Sequence, residues 1–274
     1  MARQAINDHR VTVRLACQAF KISETCYRYD PKLSSENELI ADWLLRLTTT
    51  HKQWGFGLCF MYLRNTKGFK WNHKRVYRIY KQLELNLRIK PRRRIKRDKP
   101  EALSVPLSIN QTWSIDFMSD SLNTGRKIRT FNVIDDYNRE CLGIEVDHSL
   151  PAQRVIQSLE QLIEWRGKPK AIRCDNGPEY ISHALREWAQ ATGIELMYIQ
   201  PGKPTQNAYI ERFNRTARNE WLNMHIFDSV QYPLEGYSIE HAQSLATQWM
   251  WVYNNERPHS SIGGIPPRKL LEAI

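Results

Sequence analysis

The chain has 274 residues, 41% of them hydrophobic and 11% aromatic, enough apolar content for a packed core, which excludes a disordered chain. No apolar run approaches the roughly 20 residues that span a bilayer, and Met1-Ala2-Arg3-Gln4 lacks the apolar stretch of a signal peptide. Five scattered cysteines (Cys17, Cys26, Cys59, Cys141, Cys174) with no CxxC spacing read as reduced thiols, not as a disulfide frame or zinc site. A soluble intracellular protein is expected.

The net charge of +11 is unevenly spread. Residues 1–100 hold 23 Lys/Arg and 8 Asp/Glu, a net +15, and residues 101–274 hold 17 and 21, a net −4. The first third therefore faces a polyanion, and nucleic acid is favoured because phosphate contacts dominate its binding energy. A membrane surface is disfavoured, since no strongly amphipathic apolar face accompanies the charge.

In chain order, residues 12–29 read as a helix, a turn and a second helix. Val13, Ala16, Ala19 and Phe20 recur at helical spacing, and Ser23 is a good N-cap. The second helix would offer Glu24, Thr25, Tyr27 and Arg28 to a DNA groove, or be one arm of a plain helical hairpin. Residues 36–49 form an amphipathic helix, and a helix over 54–65 follows the Gly55/Gly57 pair. Residues 72–86 start at an Asn72 cap. Their inner stripe is Val76, Ile79, Tyr80 and Leu83, with Lys74, Arg75 and Arg78 outward toward DNA or solvent.

Residues 88–99, RIKPRRRIKRDK, hold eight basic residues in twelve. No packed core absorbs that density, so Arg92, Arg93, Arg94, Lys96 and Arg97 are expected on an exposed linker tracking a DNA backbone. The predicted organisation is a helix-turn-helix segment over 1–35, a helical DNA-binding domain over 36–87, a linker over 88–104 and a catalytic core over 105–274.

Beyond the linker, helical periodicity gives way to strands at 113–118, 128–137 and 141–148, joined by short turns as an antiparallel meander. A helix closed by Gly167 comes next, followed by a buried strand AIRCD (171–175) and a helix from Glu179 to Gly193. The strand 194–200 and helices near 206–224 and 238–254 complete the core. The order βββαβαβα predicts an α/β fold, a mixed sheet with helices on its faces in the RNase H-like arrangement.

Three carboxylates fall where such a fold makes them useful. Asp116 is mid-strand among apolar residues, Asp175 ends AIRCD, and Glu211 lies near the start of a helix. A charge among apolar strand residues is unfavourable unless paired or bound to metal, and carboxylates suit Mg²⁺ or Mn²⁺. Taken singly, Asp116 could pair with an Arg, Asp175 cap a helix and Glu211 sit on a surface. Asp135-Asp136 is expected to close a strand and cap the turn at Tyr137-Asn138.

Thirty-five residues separate Asp175 from Glu211, and Arg218 follows seven positions later. This spacing, with WSIDFMSDSL, FNVIDDYNRE, IEWRGKP, IRCDNGPEY, IQPGKPTQNAYIERFNRT and YNNERPHSSIGG, resembles the OrfB transposases of the IS-three family of insertion sequences, from about residue 36 to the C-terminus. The resemblance implies a DDE transposase in which Asp116 bridges two Mg²⁺ (or Mn²⁺) ions and Asp175 and Glu211 each complete one site. It implies DNA contacts from Lys203, Gln206 and Asn207, while Arg215 and Arg218, on the Glu211 face, would point at incoming DNA. The implied reaction is 3′-end cleavage and strand transfer through a circular intermediate, on double-stranded DNA, at the nucleoid, as a homo-oligomer. An upstream OrfA product, separate or fused, is the implied partner, since this chain has no heptad zipper. Nor is there the paired His and Cys of a retroviral zinc domain. The rival readings are a DNA-binding regulator with an inactive core and a nuclease that hydrolyses without joining.

Overall fold

The computed structural model describes residues 2–9, 11–29, 35–87, 103–121, 125–200, 204–225 and 239–272. The basic linker expected over 88–99 and Lys203 lie outside them. The chain divides into two compact units, Met1–Trp43 and Leu44–Ile274, and the division falls inside one helix.

The first unit holds α1 (Ala2–His9), α2 (Val13–Ala19) and α3 (Glu24–Arg28). Thr12 caps α2 by accepting from Leu15 N at 3.4 Å, and Ser23 caps α3 by accepting from Cys26 N at 3.1 Å, which satisfies otherwise orphaned first-turn N–H groups. Ala16 and Cys17 are buried, whereas Ala19 and Phe20 are exposed. Helix α4 (Ser35–Thr50) begins here and runs on into the second unit; Ile40, Leu44 and Leu47 are its buried stripe.

In the second unit α5 (Phe56–Met61) is shorter than expected, because the chain widens into a π-helical turn over Tyr62–Thr66. Trp54, 2% exposed, stacks on His51 at 4.0 Å and meets Tyr62 edge-on. Helix α6 (His73–Gln82) is capped by Asn72, whose Oδ1 accepts from Lys74 N at 2.9 Å. It buries Val76, Ile79 and Tyr80.

The sheet runs β3-β2-β1-β4-β5. β1 (Thr112–Ser121), β2 (Lys127–Asp135) and β3 (Cys141–Asp147) are antiparallel neighbours, and β4 (Ala171–Cys174) and β5 (Glu195–Tyr198) join parallel to β1. Strand alternation sends side chains to opposite faces. Trp113 and Ile115 face a core with Val155 and Leu159 of α7 (Ala152–Arg166) and Leu185 of α8 (His183–Thr192). Met118 faces the other core, with Ile210 and Phe213 of α9 (Ala208–Ala217), and Ala246, Trp249 and Tyr253 of α11 (Ile239–Asn255). Burying each such side chain contributes roughly 1.5–3 kcal/mol. Helix α8 starts four residues later than expected, where Ser182 caps it by accepting from Leu185 N, so residues 177–182 stay free to turn beside the end of β4. A second π turn (Arg218–Leu222) extends α9 into the short α10 (Asn223–His225), and α12 (Pro267–Glu272) follows α11. No helix among the described residues is long and apolar enough to cross a membrane.

Candidate active site

Asp116 lies on β1 opposite Asn132 of β2, on the face of the sheet covered by α9. β4 pairs with β1 from Thr112↔Ala171 to Ser114↔Arg173. Two residues further along that register, Asp175 stands level with Asp116. Asp175 is held by its own turn, its Oδ1 accepting from Gly177 N at 2.9 Å. A Cβ at Gly177 would lie 3.0 Å from that oxygen and 3.4 Å from Tyr180, so a side chain there would crowd the carboxylate. Glu211 lies in the first turn of α9.

Asp116 is pushed up to about 7, first by burial, with the charges of Asp175 and Glu211 adding to the rise and hydrogen bonds from Phe117 N and Asn214 opposing it. The three expected carboxylates are thus electrostatic neighbours in a partly dehydrated place, where like charges raise one another's proton affinity. Asn214 Nδ2 donates to Asp116 Oδ2 at 2.8 Å, and Asn132 Nδ2 donates to Asn214 Oδ1 at 2.8 Å. This chain fixes the Asn214 amide so that its NH₂ end meets the carboxylate.

Tyr180 is fully buried, stacks on Phe117 at 5.0 Å, and its hydroxyl has no hydrogen-bond partner among the described residues. Burial, then Asp116 and Asp175, raise that phenol well above its usual range. Glu179 is a fourth acid nearby, but it is spent on Arg129, whose guanidinium also lies 4.2 Å from the Phe117 ring centroid.

Among the described residues no group of three His, Cys, Asp or Glu side chains is placed to hold a metal ion. The donor chemistry nevertheless fits divalent cations. The carboxylates of Asp116, Asp175 and Glu211 come from three separate elements, and the charges of the latter two act on the first; such oxygen donors suit a hard cation.

The integrase core domain matches this chain twice, over residues 107–204 and 192–267. A protein of insertion element IS407 from Burkholderia multivorans is 37% identical over 97% of this chain and 91% of its own length. One of insertion element IS476 from Xanthomonas euvesicatoria is 38% identical over 97% of this chain and 74% of its own. The chain belongs to the IS-three family of DDE transposases. Such enzymes are polynucleotidyl transferases serving the transposition of insertion elements. A chain of the simian T-cell lymphotropic virus intasome, in complex with the PP2A regulatory subunit B56 gamma, shares the fold with TM-score 0.51 at 17% identity, over 83% of the transposase and 73% of that chain.

The transposase places its other expected site residues unevenly. Arg215 is exposed. Arg218 is tied down, Nη1 to Asp120 Oδ2 at 3.3 Å and Nη2 to Ser119 O at 3.1 Å, which clamps the end of α9 to β1. Gln206 Oε1 accepts from Gln200 N at 2.7 Å. Asn207 is 2% exposed, with Nδ2 donating to Ile115 O at 3.5 Å. Lys74 and Arg78 line an open surface of α6 with Tyr77 and Lys81, whereas Arg75 is half-buried. Arg28 is exposed and paired with Glu24 at 2.9 Å. Asp135 caps its turn as expected, accepting from Tyr137 N and Asn110 N, while Asp136 is buried against Arg173. Asn214, Asn132 and Tyr180 escaped the sequence reading. Asn214 lies three residues after Glu211, the helical spacing that signals a shared face.

Proposed function

We propose that the transposase cuts the ends of its element and joins the freed 3′ ends, first to one another in a circle and then to target DNA. Water attacks the phosphorus at an element end, the P–O3′ bond breaks, and the departing 3′ oxygen takes up a proton. The resulting 3′-OH then attacks a second phosphodiester, loses its proton, and expels that strand's 3′ oxygen. Two divalent ions, Mg²⁺ or Mn²⁺, supply Lewis-acid polarisation of the phosphate and a more acidic attacking oxygen when bound.

In this reading Asp116 is the shared ligand, and Asp175 and Glu211 each complete one site. The integrase core match over residues 107–204 and 192–267, which takes in Asp116, Asp175 and Glu211, is the observation that carries it. Asn214 orients Asp116 through Oδ2, while Oδ1 accepts from Phe117 N at 2.8 Å. Arg215 and Arg218 meet incoming DNA, with Lys203 and Gln206 near the scissile phosphate. Arg28, the α6 residues Lys74, Arg75 and Arg78, and the linker residues Arg92, Arg93, Arg94, Lys96 and Arg97 contact the backbone further out. A homo-oligomer must form on DNA, because two ends have to meet, and an OrfA product shares end recognition. The working place is the bacterial nucleoid.

The test is circle formation in cells from a marked element bearing its own ends, with OrfA supplied. Wild type yields joined circles and Glu211→Gln yields none while still binding DNA. A DNA-binding chain with an inactive core is the second reading, favoured by the absence of a ready three-residue metal cluster among the described residues. It predicts no circles from either protein.

A further inference from the structure

Asp175 stands just beyond a strand. β4 ends at Cys174, and residues 175–182 turn before α8 begins at His183. Whatever moors this turn to the sheet therefore decides where Asp175 stands relative to Asp116. Within the turn, Tyr180 N and Ile181 N both donate to Gly177 O at 3.0 Å, a closure that fixes its shape and not its place. Two contacts tie it to the β5 side. Asn176 Nδ2 donates to Ile199 O at 2.8 Å, and the Tyr198 hydroxyl donates to Tyr180 O at 2.9 Å.

The tie to the β1–β2 side passes through Arg129. This β2 residue pairs in register with Ser119 of β1, as Asn132 does with Asp116. Its guanidinium forms an ion pair with Glu179 and also lies 4.2 Å from the Phe117 ring centroid, two contacts that a planar, delocalised cation makes at once. Phe117 in turn stacks on Tyr180, with the ring planes 12° from parallel. Glu179 and Tyr180 belong to the Asp175 turn, and Phe117 directly follows Asp116. The Arg129 and Glu179 side chains are 31% and 17% exposed, so the pair is partly shielded and holds its geometry better than an open surface pair. Burial would raise Glu179, but the hydrogen bond and charge of Arg129 keep it below the ordinary carboxylate range. The position of a Gly177 Cβ would be 3.0 Å from Asp175 Oδ1 and 3.6 Å from Glu179 Oε2, so the two carboxylates are close neighbours and Arg129 also relieves their repulsion.

We infer that Arg129 is a positioning residue of the metal site: by pairing with Glu179 and covering Phe117 it holds the Asp175 turn against the strand that carries Asp116. This rests on the two-ion reading above. Hard divalent ions are demanding about where their oxygen donors stand, Mg²⁺ above all, and contacts that orient such donors are worth about 10–100-fold in metal affinity. Charge alone makes a different forecast. Removing Arg129 takes a cation from beside the carboxylates and would tighten ion binding, whereas removing the Glu179 charge would loosen it. Positioning requires both changes to loosen it.

The test is a Mn²⁺ titration of the full chain without DNA, followed by loss of the free-ion EPR signal. Arg129→Met and Glu179→Gln should each weaken Mn²⁺ about tenfold, and the double variant no more than either alone. Arg129→Lys, which can still pair with Glu179 and lie on Phe117, should recover most of the loss. Should Arg129→Met not fold, Glu179→Gln is read again in about 0.5 M KCl, where a loss due to charge shrinks and a positional loss persists. Opposite shifts in the two single variants, or a loss that vanishes in salt, would overturn the inference in favour of charge. Variants that bind Mn²⁺ as a binding wild type does would sink this inference alone. A wild type that binds no Mn²⁺ would sink the two-ion reading with it.

Discussion

Replacing Asp116 by Asn should make the metal-free transposase gain stability relative to wild type as the pH rises from 5 to 8. The folded carboxyl sits at about 7 against an ordinary 3.8, so between those values the folded state holds a proton that the unfolded state has lost. Stability therefore falls as pH rises through that window and levels off above 7. At about 1.4 kcal/mol per tenfold the full gap is worth roughly 4 kcal/mol, and about 2.5 of it falls between pH 5 and 8. Solvent relaxation around a partly exposed group reduces this to roughly 1–2 kcal/mol, which is about 3–6 °C for a unit of this size. Asn at 116 also turns its NH₂ toward one of the two donors that Asp116 accepts, an offset of order 1 kcal/mol that does not vary with pH. The quantity to measure is thus the wild type minus variant difference in Tm, in excess EDTA, at the two pH values. A difference that stays constant would mean that burial and the charges of Asp175 and Glu211 do not raise this carboxyl, and the charge-cluster argument would fail.

Asn214→Ala removes a hydrogen bond that lowers Asp116, so the pH profile of strand joining should move upward, with about tenfold less joining at pH 7; an unmoved profile would show that Asn214 does not act through Asp116. Gly177→Ala puts a methyl 3.0 Å from Asp175 Oδ1, and joining should drop on the order of tenfold or more with little change in urea midpoint. Loss of fold instead would mark the glycine as structural. Arg173→Met leaves Asp136 buried without its ion partner, which should remove about 3–5 kcal/mol in chemical denaturation. Adding Asp136→Leu should restore much of that, and failure to do so would point to packing.

Some of this was already decided by the residues. Period-two runs and helical stripes, with capping by Ser23, Asn72 and Ser182, are local physics, and they dictate the element order βββαβαβα. The charge step at residue 100 and the motif run around Asp116, Asp175 and Glu211 point to a DNA-acting carboxylate enzyme from the sequence itself. Tertiary contact settled the rest. Asn207, the N-cap of α9, and Arg215, within it, both lie four positions from Glu211, yet one is buried and the other open to solvent. Asn214 gains its meaning from an aspartate 98 residues away, and Arg129 from a glutamate 50 residues away. Helical spacing specifies which side chains share a face, but burial and partnership depend on which faces meet. That is set by surfaces brought together across the whole chain, where a polar group's environment, and so its chemistry, is decided.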